Sequence, residues 1–221
     1  MDALTALAGD RQFLGRTGMA ERVAEVLRER IIDGSLPPAT RLSEDQIAKT
    51  LGVSRNTLRE SFKLLAHERL LEHKLNRGVF VRQIDAADVI DIYRVRRLVE
   101  VAAVRSADGV DTSQVTECIQ VATEAAEHDR WKDVGTADIR FHLALAALAG
   151  SPRVDEAMRQ VFAELRLVFH AMNDPQAFHE PYLQRNIAIA GMVEAGRLDA
   201  AAEALTDYLR DAEATLLAVV D

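Results

Sequence analysis

The sequence predicts a mainly α protein in two parts: a small helical head closed by a β-hairpin, then an antiparallel all-α helical bundle. Three observations predict it. Apolar residues recur at helical spacing through most of the chain, in a composition where only 5% of residues are aromatic. Strand-like alternation around a turn is confined to one stretch, 71–82. The charge also changes sign along the chain: residues 1–84 hold 14 basic and 11 acidic side chains, whereas 85–221 hold 13 and 24. The net charge of −8 is therefore a basic head at +3 and an acidic bundle at −11, as expected if only the head meets a polyanion. The expected boundaries are a tail at 1–18, a head at 19–84 and a bundle at 85–221.

The totals exclude several classes. With 221 residues, 48% of them hydrophobic, the chain can build two cores. No apolar run reaches the ~18–20 residues a membrane span needs. Met1 to Gly18 lacks the apolar segment and small-residue cleavage site of a secretory signal. A single cysteine, Cys118, reads as a small core-side residue and fits a reducing cytoplasm.

In the head, Val23, Val26, Leu27 and Ile31 mark one face of a first helix, which Gly34 ends. Leu36 to Leu42 is extended, since Pro37 and Pro38 oppose helix. Ser43 caps a short helix, Glu44 to Thr50. Gly52 supplies the turn. Ser54 then caps a longer helix to about His67, with Leu51, Val53, Leu58, Phe62, Leu65 and Ala66 facing a small core. Its first turn exposes Arg55, Asn56, Thr57 and Arg59, which can reach base edges and phosphates from a helix N-terminus of positive partial charge. Leu71 to Leu75 and Gly78 to Arg82 form a hairpin around Asn76-Arg77-Gly78, placing Arg77 on or in a minor groove. Together these elements make a winged helix-turn-helix. Between Ser54 and Arg82, seven basic residues face three acidic ones. A protein-docking module is the competing use of such a cluster. His67 and His73 read as ordinary surface residues.

The head resembles the GntR family of bacterial transcription regulators. The resemblance rests on Ile31-Ile32-Asp33-Gly34-Ser35-Leu36-Pro37-Pro38, Leu42-Ser43-Glu44, Gly52-Val53-Ser54-Arg55, Leu58-Arg59-Glu60 and Asn76-Arg77-Gly78-Val79-Phe80-Val81. It covers about 19–82 and implies operator contacts at Ser54, Arg55, Asn56, Arg59, Arg77 and Gly78. Where that family often has arginine after the glutamate of the second helix, this chain has Asp45, which puts a phosphate contact in doubt.

Beyond a connector at Gln83 to Ala87, six or more helices and no strand are expected. Val89, Ile92, Val95, Val99 and Ala103 mark the first. Val115, Ile119, Ala122 and Ala126 mark the second, capped near Thr112 or Ser113. Ile139 to Leu148 is nearly all apolar. After Gly150-Ser151-Pro152 comes a stripe of Val154, Met158, Val161, Leu165 and Val168. Asn173-Asp174-Pro175 reads as a break. Tyr182 to Ala195 and Leu198 to Val220 are the last two helices, with Gly196 between.

Polar residues on buried stripes are candidates for a site. Asp138 and His142, one turn apart, can hold one divalent cation or simply pair. Arg96 lies on an apolar stripe and needs a partner. Asn186 and Tyr208 also fall on apolar faces. Each alone fits a satisfied core residue; together they suggest a pocket.

This half resembles the FCD type of ligand-sensing domain of the FadR subgroup. The resemblance rests on Val95-Arg96-Arg97-Leu98-Val99-Glu100, Asp138 with Phe141-His142, Gly150-Ser151-Pro152, and Ala195-Gly196 with Ala201. It implies a metal held by one Asp and three His, with a small carboxylic acid upon it. Asp138 and His142 match two ligands, while Asn186 and Tyr208 fall where the other two histidines would be. Asn186 is a poor ligand for zinc or nickel, and His170 and His179 have no spacing argument. The reading favours no cofactor, with Arg96, His142, Asn186 and Tyr208 holding a small carboxylate-type metabolite. A weakly held Zn, Ni or Mn at Asp138 and His142 comes second.

The expected function is a cytoplasmic, ligand-responsive, homodimeric repressor on a palindromic double-stranded DNA operator, with no membrane partner and no enzymatic activity. The alternatives are a structural DNA-binding protein without effector and a metal-dependent hydrolase.

Overall fold

The computed structural model describes residues 17–170 and 174–220. The expected tail, 1–18, lies outside them as far as Arg16. Two compact units divide the chain after Gln83.

The first unit runs α1 (Thr17–Ile32), β1 (Arg41–Leu42), α2 (Glu44–Leu51), α3 (Arg55–His67), β2 (Leu71–Lys74) and β3 (Gly78–Val81). Gly34, at φ 81°, takes the left-handed conformation that ends α1. Ile31, Leu58, Phe62, Leu65, Leu70 and Val81 form its core. Arg28 of α1 ties down the far end of α3, donating to Glu68 from Nε at 2.7 Å and from Nη2 at 2.6 Å. Two expected core residues face out instead: Val26 is 42% exposed and Leu51 36%. Leu51 sits on the last turn of α2, where Gly52 turns the chain and Ala48 already fills the inward position.

The sheet is antiparallel, in the order β1-β3-β2. Lys74 pairs with Gly78 beside the turn, and Leu71 with Val81 at the other end of the ladder. The extended Pro37–Leu42 segment supplies a third strand, with Arg41 opposite Phe80 and Leu42 opposite Val79. That pairing covers an edge of the hairpin.

Among its described residues the second unit runs α4 (Ala86–Arg105), α5 (Ser113–Glu127), α6 (Trp131–Ala147), α7 (Pro152–His170), α8 (Pro175–Glu194) and α9 (Leu198–Val220). A capping box at Asp85 and Asp88 starts α4. α6 is central, packing on α4, α5, α7 and α8, while α9 closes the bundle against α4 and α8. α8 begins seven residues before Tyr182. The expected break at Asp174-Pro175 is also the start of α8: Asp174 accepts from the Ala177 amide at 3.0 Å and Pro175 takes the first turn. Pro181 sits inside the same helix. No helix among the described residues is long and apolar enough to cross a membrane.

Candidate functional site

The first candidate surface is built by two N-caps. Ser43 accepts from the Gln46 amide and starts α2. Ser54 accepts from the Thr57 amide at 3.0 Å and starts α3. Between them Gly52, at φ 65°, takes the left-handed conformation that the turn demands. The Ser54 and Thr57 hydroxyls lie 2.8 Å apart, so Thr57 is half-buried in the cap. Arg55, Asn56 and Arg59 project from the first turns of α3 and are exposed. Arg55 Nε lies 3.0 Å from Asp45 Oδ1, and Arg59 Nε lies 2.7 Å from Glu44 Oε2. In the wing, Asn76 adopts φ 58° and Gly78 φ 102°. Arg77 is exposed there, and Leu75 beside it is 88% exposed, a residue that strand alternation alone did not single out. α3 thus presents cationic side chains from its N-terminal turns, and the wing presents another.

The second candidate site is a buried polar cluster in the helical unit. Arg96, Glu100, Asp138, His142, His179, Asn186 and Tyr208 are all buried. Glu100 is its hub: it accepts from Arg96 Nε at 2.7 Å and from His142 Nδ1 at 2.7 Å. The Arg96 guanidinium lies between the rings of Tyr93 (4.8 Å) and Phe162 (4.9 Å). Asp138 Oδ1 accepts from Asn186 Nδ2 at 2.7 Å and from the Tyr208 hydroxyl at 3.0 Å. His142 bridges the two halves, its Nε2 standing 3.8 Å from Asp138 Oδ1.

Electrostatics agree with that wiring. Burial pushes the Glu100 carboxyl up, but Arg96 and His142 outweigh it and hold it below the usual carboxylate range. Burial likewise raises Asp138, and the charges of His142, His179 and Arg96 with the Asn186 hydrogen bond bring it below its ordinary value. Burial pulls His179 down, partly opposed by Asp138. Burial and Asp138 together push Tyr208 well above its usual range, so it remains a neutral donor.

The structure brings all five sequence-chosen residues of the bundle together and adds Glu100, Tyr93 and His179. Glu100 follows Arg96 by four residues, a helical ion-pair spacing readable in the sequence. His179 presses so closely on α6 that a Cβ on Gly135 would stand 2.5 Å from its Nε2. Arg96 is thus already charge-compensated by Glu100. The cluster has little room: the cavity beside Asp138, His179 and Asn186 is about 10 Å³, space for at most one water. A larger open groove of about 440 Å³ between α5, α6 and α7 contains none of the expected effector residues.

Asp138 already serves two neutral donors, the Nδ1 edge of His142 is turned to Glu100, and among the described residues no three His, Cys, Asp or Glu side chains stand together as a ligand set. The His170 side chain lies outside the described residues.

A winged helix-turn-helix with cationic side chains on its capped helix, followed by a helical unit with a buried polar cluster, defines a DNA-binding transcription regulator. Residues 19–81 match the bacterial regulatory proteins of the gntR family, and 91–211 match the FCD domain. The chain belongs to the GntR family, with an FCD domain as its second half. A crystal structure assigned as a GntR transcriptional regulator from Rhodococcus sp. RHA1 is 48% identical, covers 93% of this chain and 100% of its own, and superposes with a TM-score of 0.89. The HTH-type transcriptional repressor RspR of Escherichia coli K12 is 25% identical over 197 residues, 86% of each chain. The gluconate operon transcriptional repressor of Bacillus subtilis 168 is 30% identical over 139 residues, 59% of this chain and 55% of its own. Membership of a family of DNA-binding regulators displaces the hydrolase alternative.

Proposed function

We propose that this protein is a cytoplasmic homodimeric repressor, released from a palindromic operator when a small hydroxylated carboxylate enters the buried cluster of the helical unit without a metal. One observation carries the reading: four polar atoms of that cluster, Arg96 Nη2, His142 Nε2, His179 Nδ1 and Asn186 Oδ1, are buried with no hydrogen-bond partner. Unpaired buried polar groups are costly and call for an occupant. Their chemistry selects its class. Arg96 Nη2 donates, which suits a carboxylate oxygen. With its Nδ1–H committed to Glu100, a neutral His142 accepts at Nε2, and Asn186 Oδ1 accepts too, which suits hydroxyl donors. This keeps Arg96, His142, Asn186 and Tyr208 as the effector residues. Because the resting cavity holds no more than a water, the ligand selects an opened form of the bundle. It changes operator affinity only through its different affinity for the two forms.

Repression follows the named activity of the relatives. Two-fold pairing suits a palindrome whose half-sites lie ~34 Å apart. Its proposed surface is the outer face of α4, where Leu98 is 70% exposed beside Val101 and Ala102 over a shallow hollow.

The test is thermal melting of chelator-treated protein with a panel of hydroxy acids and, separately, with Zn, Ni or Mn. A ligand at a hundred times its Kd adds ~2.7 kcal/mol to the folded state. The expected result is stabilisation by one acid, absent in Asn186→Leu, and loss of operator binding on adding that acid. Stabilisation by metal alone, abolished in Asp138→Ala, would overturn the metal-free reading.

A further inference from the structure

We propose that Asp45 is a specificity-determining residue of the operator-reading surface: it orients Arg55 and accepts a hydrogen bond from a base amino group beside the guanine that Arg55 reads. The geometry starts with the Arg55 Nε–Asp45 Oδ1 contact at 3.0 Å. An arginine held at Nε keeps both Nη groups, and so an end-on fork, free for the O6 and N7 of guanine. Both side chains are about two-thirds exposed, 66% for Arg55 and 64% for Asp45, so the pair lies on the surface that meets DNA rather than in the core. Oδ1 faces Arg55, and with 64% of the side chain exposed the carboxylate can also meet a base edge.

A carboxylate is an unusual group to keep beside a phosphate backbone. It repels phosphate and accepts hydrogen bonds only, so among base edges in the major groove it fits the N4 amine of cytosine or the N6 amine of adenine. It also penalises guanine and thymine, whose O6 and O4 offer only acceptors there. Neighbouring Glu44 repeats the buttress with Arg59 at 2.7 Å, but Glu44 is less exposed, at 27%. Asp45 thus adds both attraction to one base class and repulsion of the other, the two ingredients of specificity.

A plainer account exists: an acidic residue in the first turn of α2 favours the positive helix end. The two accounts separate experimentally, because an exposed ion pair contributes little to stability. The experiment is selection from a library of randomised duplexes by the full-length protein, its Asp45→Ala variant and its Asp45→Asn variant, each checked for an unchanged melting midpoint. For Asp45→Ala, preference at the base pair next to the Arg55 guanine should fall by roughly tenfold, while binding to random duplex tightens as a negative charge leaves the phosphates. For Asp45→Asn, the amide oxygen can still face Arg55 Nε, so the guanine preference should persist. Its NH2 now donates, so the adjacent preference should move to a base edge that accepts. An unchanged selected sequence in both variants overturns the proposal. So does a uniform change in affinity for every sequence, and so does a fall in the melting midpoint as the only effect of either variant.

Discussion

Removing the Glu100 carboxylate should unfold the helical unit more readily than any other single polar change in the bundle. Glu100 is fully buried and serves Arg96 and His142 at 2.7 Å each, so Glu100→Ala leaves a guanidinium with no counter-charge between two aromatic rings. Breaking a buried pair from one side costs about 3–5 kcal/mol. In a unit of this size that lowers the melting midpoint by roughly 10–20 °C. Trp131 is the only tryptophan and lies in the helical unit, so its fluorescence reports that unit apart from the DNA-binding head. A drop of less than about 3 °C would refute the reasoning, because it corresponds to under ~1 kcal/mol and so to an Arg96 that keeps its solvation without Glu100. The double change Arg96→Met/Glu100→Leu removes both charges and should recover most of the loss. A double variant as unstable as the single one would show that shape, not charge, sets the cost.

Other outcomes follow from the same geometry. Arg59→Ala and Arg55→Ala should each lose about 1–3 kcal/mol of operator discrimination in a competition binding assay, with melting of both units unchanged; retention of full discrimination by both would move the reading surface off α3. Gly135→Ala puts a methyl 2.5 Å from the His179 ring, which is held against Phe169 and Phe178, and should cost about 1–3 kcal/mol by urea titration of Trp131 fluorescence. Acid should destabilise the bundle in two stages. His179 is depressed from 6.5, so the folded state binds fewer protons there and stability falls as pH drops below about 6.5. Glu100 and Asp138 are depressed from 4.5 and 3.8, so their contribution is complete above those values and is lost as pH falls through the lower folded ones. His179→Gln should remove the first stage alone; a first stage that persists in that variant assigns it to another group.

Most of the head was legible in the sequence because its signals are local. Ser43, Gly52, Ser54 and Gly78 each act on their own few residues, and each does so in the structure. The stretch holding β1 read as extended, but its pairing was not legible, because its partner β3 lies nearly forty positions away. In the bundle, stripe positions were enough to pick Arg96, Asp138, His142, Asn186 and Tyr208. They did not show what those residues do to one another: Arg96 reads as a free cation until Glu100 is seen one turn on. His179 was hidden because the helix was started at Tyr182, whereas the break at Asp174 and Pro175 is also the cap and first turn of α8, with Pro181 inside it. The same ambiguity placed Leu51 inside, since one turn of helix decides between core and surface.

Pro181 has a further consequence. Lacking an amide hydrogen, it leaves the Ala177 carbonyl without the rung that α8 would otherwise give it. The missing rung spans Ala177 to Pro181 and so brackets His179, wedged on Gly135, ahead of Asn186, bonded to Asp138. α8 is therefore weakest around His179, and its first turns can tilt away on that seam while the later turns keep their hold on Asp138.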